Sequence, residues 1–180
     1  MSEPTKNQLA IIGAGPGGYA AAFHAADLGL QVTLIDLEPN PGGVCLYRGC
    51  IPSKALLHCA KVLTDAREAS HWGIYFSEPK IDLAKVRTGK DQVVAQMTGG
   101  LGQLTKARKI RFIQGRASFV ESNTIRITQE NGAEEYLSYE HAILAAGSRP
   151  ATLPNVYTES PRVMNSTSAL QIENIPKTLL

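Results

Sequence analysis

The sequence predicts an α/β fold: a mostly parallel, doubly wound sheet with an antiparallel β-meander inserted before its last strand. Three observations predict it. Leu9-Ala10-Ile11-Ile12 is a short apolar run ending in glycines, as expected of a strand buried on both faces. A helical stretch and a second apolar run follow within about 30 residues, the length of one β-α-β unit. Short strand-like runs then cluster after Lys109, with Asn131-Gly132 placed as a hairpin turn between two of them.

The elements follow in order. Tyr19 to Leu28 is rich in alanine and reads as a helix closed by Gly29. Gln31 to Asp36 is the second strand, and residues 37–49 read as irregular because they hold Pro39, Pro41, Gly42, Gly43 and Gly49. From Cys50 to Ala69, apolar Leu56, Leu57, Ala60 and Leu63 recur at helical spacing. Ser77-Glu78-Pro79 breaks the chain, and a long helix over Asp82 to Ala107 follows, weakened in its middle by Gly99, Gly100 and Gly102. Strands are expected over Ile110–Gln114, Ala117–Val120, Thr124–Thr128 and Glu135–Leu137. A separate buried strand is expected from His141 to Gly147. The ending Ile175-Pro176-Lys177-Thr178-Leu179-Leu180 reads as the approach to another buried strand rather than a polar, frayed terminus, so the chain is expected to be cut short there.

Composition narrows the function classes. With 180 residues, 43% hydrophobic and 19% charged, the chain can bury a core of ordinary globular kind. A formal net charge of +2, with basic residues spread out apart from Lys106, Arg108, Lys109 and Arg111, argues against a nucleic-acid surface. No run reaches the roughly 18 apolar residues that span a bilayer. The opening Met1-Ser2-Glu3-Pro4-Thr5-Lys6 lacks the order of a secretory leader, so a cytoplasmic location is expected. Three cysteines in a reducing compartment suggest catalysis or redox sensing rather than structural bridging.

Two motifs carry chemistry. Gly13-Ala14-Gly15-Pro16-Gly17-Gly18 fits G-x-G-x-x-G between a predicted strand and helix. Gly13 permits the turn, Gly15 lets backbone approach a pyrophosphate, and Gly18 allows close helix–strand packing, with helix N–H groups aimed at the phosphates. Asp36 ends the second strand, placed to accept a hydrogen bond from a ribose hydroxyl. An acid there suits NAD or FAD alike, and the cysteines bear on that choice.

Cys45 and Cys50 stand in the run Gly42-Gly43-Val44-Cys45-Leu46-Tyr47-Arg48-Gly49-Cys50-Ile51-Pro52-Ser53-Lys54. Five steps of regular helix rise about 7.5 Å, more than a disulfide usually spans. The pair is therefore expected to place Cys45 in a loop and Cys50 in the first turn of a helix, where the dipole favours a thiolate. Lys54, one turn on, shares that face and adds positive charge or reaches a cofactor. Two unrelated thiols remain an alternative reading. A metal site fits less well, because neither C-x2-C nor C-x4-C-x2-C spacing is present. Cys59, without a partner in sequence, reads as a small packing residue.

These residues resemble the active-site signature of the pyridine nucleotide–disulfide oxidoreductases, and the likeness runs from Leu9 to the end of the chain. Ala145-Ala146-Gly147-Ser148-Arg149-Pro150 resembles that family's second flavin-contacting motif, with alanine in place of the commoner threonine at Ala146. Tyr47-Arg48 departs from the more usual Asn-Val. The resemblance implies that residues 1–180 are one Rossmann-like FAD-binding domain, truncated before an NAD-binding domain. It places the FAD pyrophosphate on Gly13, Gly15 and Gly18, the ribose at Asp36, and the ring beside Cys50 and Lys54. Gly43, Val44, Ala117, Ala146 and Gly147 complete the pocket.

Cys-Ile-Pro-Ser-Lys-Ala-Leu-Leu is most similar to the branch that oxidises dihydrolipoamide to lipoamide with NAD in 2-oxo acid dehydrogenase complexes. That implies lipoyl domains as partners and a homodimeric complete enzyme. In that branch Cys45 would exchange with the lipoyl sulfur and Cys50 would face the flavin. The family takes its proton-handling base from a His-Glu pair of the other subunit, and none of His24, His58, His71 or His141 matches that motif. A mercuric or glutathione reductase-like relative, or a non-catalytic nucleotide-binding domain, are the competing readings.

Overall fold

The computed structural model describes residues 5–152, 154–155 and 160–180. The first four residues of the segment read above for a leader therefore lie outside the described residues. In chain order the elements are β1 (Thr5–Ile12), α1 (Pro16–Asp27), β2 (Val32–Asp36), α2 (Gly43–Arg48) and α3 (Cys50–Glu68). A 3-10 turn over Ala69–Trp72 precedes α4 (Leu83–Ala107). β3 (Arg111–Gln114), β4 (Arg116–Glu121), β5 (Thr124–Thr128), β6 (Glu134–Leu144) and the short α5 (Ser166–Ala169) complete the chain. These form two compact units, residues 1–45 with 97–148 and residues 46–96 with 149–180.

The first unit holds one six-stranded sheet in the order β3-β2-β1-β6-β5-β4. β1 pairs in parallel with both β2 and β6, in the registers Leu9↔Val32 and Leu9↔His141, and β3 pairs in parallel with β2. β4, β5 and β6 form the antiparallel meander. Side chains alternate across a strand, so β1 feeds two cores. Leu9 and Ile11 pack with Ala22 and Ala25 of α1 and with Val32 and Leu34. Ala10 packs on the other face with Ile35, Ile113, Ile125, Ile127 and Leu137. A mostly parallel sheet with an inserted meander is thus the fold that the sequence predicts.

Two elements differ from expectation. The runs read as separate strands at Glu135–Leu137 and His141–Gly147 are one strand, because Ser138-Tyr139-Glu140 between them contains no breaker. Its first half closes the meander against β5, while Leu137 to Leu144 lies parallel to β1. Residues 43–48 are helical rather than irregular. Gly42 and Gly43 take the positive-φ turn, at 155° and 57°, after which nothing in Val44 to Arg48 opposes a helix. The long helix expected over Asp82 to Ala107 is present as α4 and runs unbroken through its glycines. Thr98, Gly102 and Thr105 are buried along one side, which outweighs the poor propensity of the glycines.

In the second unit α3 begins where Gly49 stops α2. The Ser53 amide and hydroxyl both donate to the Gly49 carbonyl, at 3.0 and 2.7 Å. The N-terminal half of α4 holds the segment after α5. Buried Lys90 donates to the Leu170 carbonyl at 3.1 Å, and Arg87 donates to the carbonyls of Ile172 and Glu173 at 3.2 and 3.1 Å. Among the described residues no helix is long and apolar enough to cross a membrane.

Candidate functional site

The glycine-rich turn is assembled from backbone. Gly13 takes φ 98°, and its amide donates to the Ile35 carbonyl at 2.8 Å. A Cβ on Gly13 would overlap the Ala145 carbonyl, and one on Gly18 would overlap the carbonyl of Gly13. Gly13 and Gly18 therefore let α1 start directly on the ends of β1 and β6, the packing role assigned to Gly18 from sequence. Gly15 is the N-cap of α1. No side chain caps it, and the first turn contains no acid. The four N-terminal amides of an α-helix lack intrahelical partners and carry partial positive charge. A 12-residue helix with a glycine cap and no competing carboxylate fits a bound diphosphate.

A second strip of backbone closes on this turn. The Gly42 amide donates to the Ala14 carbonyl at 2.8 Å. A Cβ on Gly43 would lie 2.5 Å from the Cα of Gly15, and Gly43 has φ 57°. Side chains at Gly15 and Gly43 would fill the place where the two backbones meet. Residues 13–18 and 42–43 thus form one all-backbone cradle, which polar ligand atoms can approach closely.

Asp36 holds this cradle from below. Its Oδ2 accepts from the Ala14 amide at 2.5 Å and its Oδ1 from the Glu38 amide at 2.9 Å. The Asp36 carbonyl accepts from the Gly115 amide at 2.8 Å, tying β2 to the start of β4. An ionised carboxylate offers about four lone-pair sites. Two amides leave capacity for a ribose hydroxyl, and the carboxylate is already fixed in direction. The sequence pointed to the ribose role of Asp36 but not to its hold on Ala14, a contact visible only once the turn is folded. The contribution of Asn40, whose side chain packs against Gly102 of α4, also went unread for want of any motif.

The remaining expected residues divide between the two units. Ala146 and Gly147 follow the last residue of β6, exposed, with Gly147 at φ 70°. Ala145, just before them, donates its amide to the Ile12 carbonyl at 2.8 Å, which sets this segment beside the glycine turn. Ala117 in β4 packs against the core on the Ile125–Leu137 face. Val44 is exposed and Cys45 half-buried, both in α2. Cys45 therefore stands on a short helix, not in the loop expected from sequence, and Gly49, rather than a loop, separates it from Cys50. In the second unit Cys50 is exposed in the first turn of α3, with Lys54 exposed one turn later. Cys59 is exposed too, so it is not the packing residue that its lone position suggested. Between the thiols, the Arg48 guanidinium lies 6.0 Å over the Tyr47 ring, a cation–π distance.

Residues 7–180 match the family model described as pyridine nucleotide-disulphide oxidoreductase. A dihydrolipoyl dehydrogenase of Haemophilus influenzae is 49% identical over 180 residues, all of this chain and 38% of that protein. One of Bacillus subtilis is 44% identical over 177 residues, 98% of this chain and 37% of that protein. The crystal structure of LpdA from Mycobacterium tuberculosis superposes with a TM-score of 0.84 at 25% identity, covering 96% of this chain and 38% of that one. The chain thus spans little more than a third of the length of these relatives. It belongs to the pyridine nucleotide-disulphide oxidoreductase family.

Proposed function

We propose that residues 1–180 are the FAD-binding part of a dihydrolipoamide dehydrogenase, which oxidises dihydrolipoamide to lipoamide with NAD through a Cys45–Cys50 disulfide. The family uses FAD, and NAD in its complete enzymes. The observation that carries the reading is the backbone cradle: Gly43 meets Gly15 at the uncapped end of α1, and Cys45 follows Gly43 by two residues. One short helix thereby links the dinucleotide turn to a thiol. In this reading Gly13, Gly15 and Gly18 receive the pyrophosphate and Asp36 receives the ribose. Val44, Lys54, Ala117, Ala146 and Gly147 line the rest of the pocket. The partners are lipoyl groups of 2-oxo acid dehydrogenase complexes, the complete enzyme is a homodimer, and its compartment is the cytoplasm.

The chemistry of the chain's own residues is thiol–disulfide exchange. A substrate thiolate attacks Sγ of Cys45, the sulfur–sulfur bond to Cys50 breaks, and Cys50 leaves as a thiolate. The second substrate thiolate then attacks the substrate sulfur bound to Cys45. This closes the lipoyl disulfide and releases Cys45, so the cysteine pair has gained two electrons. The bound flavin supplies the two-electron acceptor that returns the pair to its disulfide. Lys54, one turn along α3 from Cys50, supplies a fixed positive charge on the thiolate's side of the helix. Gly13 to Gly18 and Asp36 hold the diphosphate and ribose in place and leave the thiols free to exchange.

The test is spectroscopic. In flavin-loaded protein, half-reduction should raise a long-wavelength thiolate–flavin charge-transfer band. Cys50→Ser should abolish that band. Cys45→Ser should keep or strengthen it, because Cys50 then remains a thiolate. A band that survives Cys50→Ser, or a protein that takes up no FAD, would overturn the reading.

A further inference from the structure

In the second unit, two cations of α4 hold a stretch of chain that has no regular structure. Arg87 and Lys90 stand three residues apart, so they share one face of the helix. Lys90 is buried, yet its Nζ donates to the Leu170 carbonyl at 3.1 Å and pairs with the exposed Asp91 carboxylate at 3.1 Å. The Arg87 guanidinium donates to the carbonyls of Ile172 and Glu173, at 3.2 and 3.1 Å. Leu170 is the C-cap of α5, where the last carbonyls lack intrahelical partners, and the Lys90 cation satisfies one of them. The other end of α5 is closed by the Asn165 capping box.

We propose that Arg87 and Lys90 form a sprung clasp, a two-state latch that holds residues 170–173 on α4 and releases them together when it opens. Strain at Ile172 supplies the spring. Its φ of 46° is a left-handed conformation that crowds a β-branched side chain and persists only where the surroundings force it. Here the forcing comes from both sides, since the Leu170 carbonyl is fixed by Lys90 and those of Ile172 and Glu173 by Arg87. Opening therefore relieves the crowding, and it also returns the buried Lys90 ammonium to water, which favours a charged group. Little else resists. From residue 170 to 180 only Leu170 and Ile172 are half-buried and the rest are exposed, the setting of low local stability. Both cations act on one strained stretch, so loss of either opens the whole.

Amide hydrogen exchange and acylation of Lys90 by acetic anhydride, both read by mass spectrometry on the full chain, test this. Arg87→Met should speed exchange of the amides of residues 167–171 about tenfold. It should speed labelling of Lys90 by a similar factor, measured against the exposed Lys61 as internal reference. Lys90→Met should match Arg87→Met in exchange, and the double variant should exceed neither by more than about twofold. Ile172→Gly removes the crowding without touching a cation, and should slow both exchange and labelling about threefold. Amides of β1 should keep their parent rates throughout, which reports an intact fold. If a Met variant loses that protection, Ile172→Gly and the labelling of Lys90 in the parent still decide. Segment amides that exchange at the unprotected rate in the parent, or Lys90 labelled there as fast as Lys61, would overturn the proposal. So would exchange indifferent to both Met substitutions, a double variant whose effect is the product of the singles, or faster opening in Ile172→Gly.

Discussion

Single residues decide whether the cradle exists. Gly18 cannot gain a Cβ without striking the backbone of Gly13, an atom that no rotamer change can clear. Gly18→Ala should therefore cost about 1–3 kcal/mol or more, as overpacking does, and should lower flavin bound per mole of protein, measured by absorbance after gel filtration. Asp36 acts through hydrogen bonds to Ala14 and Glu38. A hydrogen bond to a charged group contributes about 1.5–3 kcal/mol, so Asp36→Ala should lower both the melting temperature and FAD affinity. Asp36→Asn keeps one acceptor oxygen and should fall between them in titration calorimetry. Equal losses from Ala and Asn would mean that charge alone matters. That the glycines and Asp36 would meet at one strand–turn–helix was legible from spacing alone, because that placement follows from backbone geometry any such unit shares. The helical setting of Cys45 was not legible. It depends on Gly43 meeting Gly15, residues 28 positions apart in sequence.

Elements show where local preference yields to packing. α4 holds Gly99, Gly100 and Gly102, yet it stays helical for 25 residues. The three glycines are not equivalent. A Cβ on Gly99 or Gly100 would meet nothing within 4 Å, whereas one on Gly102 would meet the Asn40 side chain. Gly100→Ala should thus stabilise by about 0.5–1 kcal/mol through helix propensity and raise the thermal midpoint. Gly102→Ala should gain less or lose, because Asn40 must move. A midpoint lowered by Gly100→Ala would show that another surface approaches the helix there. β6 makes the same point about sheets. The hairpin signal marked its first half. The second half, read as a buried strand from His141 to Gly147, ends at Leu144 and is exposed from residue 140 on. Only pairing with both β5 and β1 makes the two halves one strand.

At the scale of the molecule, the chain covers 38% of the length of its Haemophilus influenzae relative. FAD is expected to bind this chain more weakly than it binds a full-length relative, because the chain spans only 38% of that relative's length. Equilibrium dialysis of the chain and of a full-length relative checks this, and equal affinity would contradict it. The apolar positions of β1, β2 and β6, the glycine turn, Asp36 and the cysteine spacing were determined by sequence alone, because each depends on neighbours within one turn, one strand or one β-α-β unit. Tertiary structure decided the rest. It set Gly43 against Gly15, fixed the Asp36 carboxylate on the Ala14 amide, turned Cys45 onto a helix, and left Trp72, Tyr75 and Phe76 exposed. The physical reason is common to all four: each depends on atoms brought together by the folded chain, and periodicity reports only which face a residue takes, not what it meets.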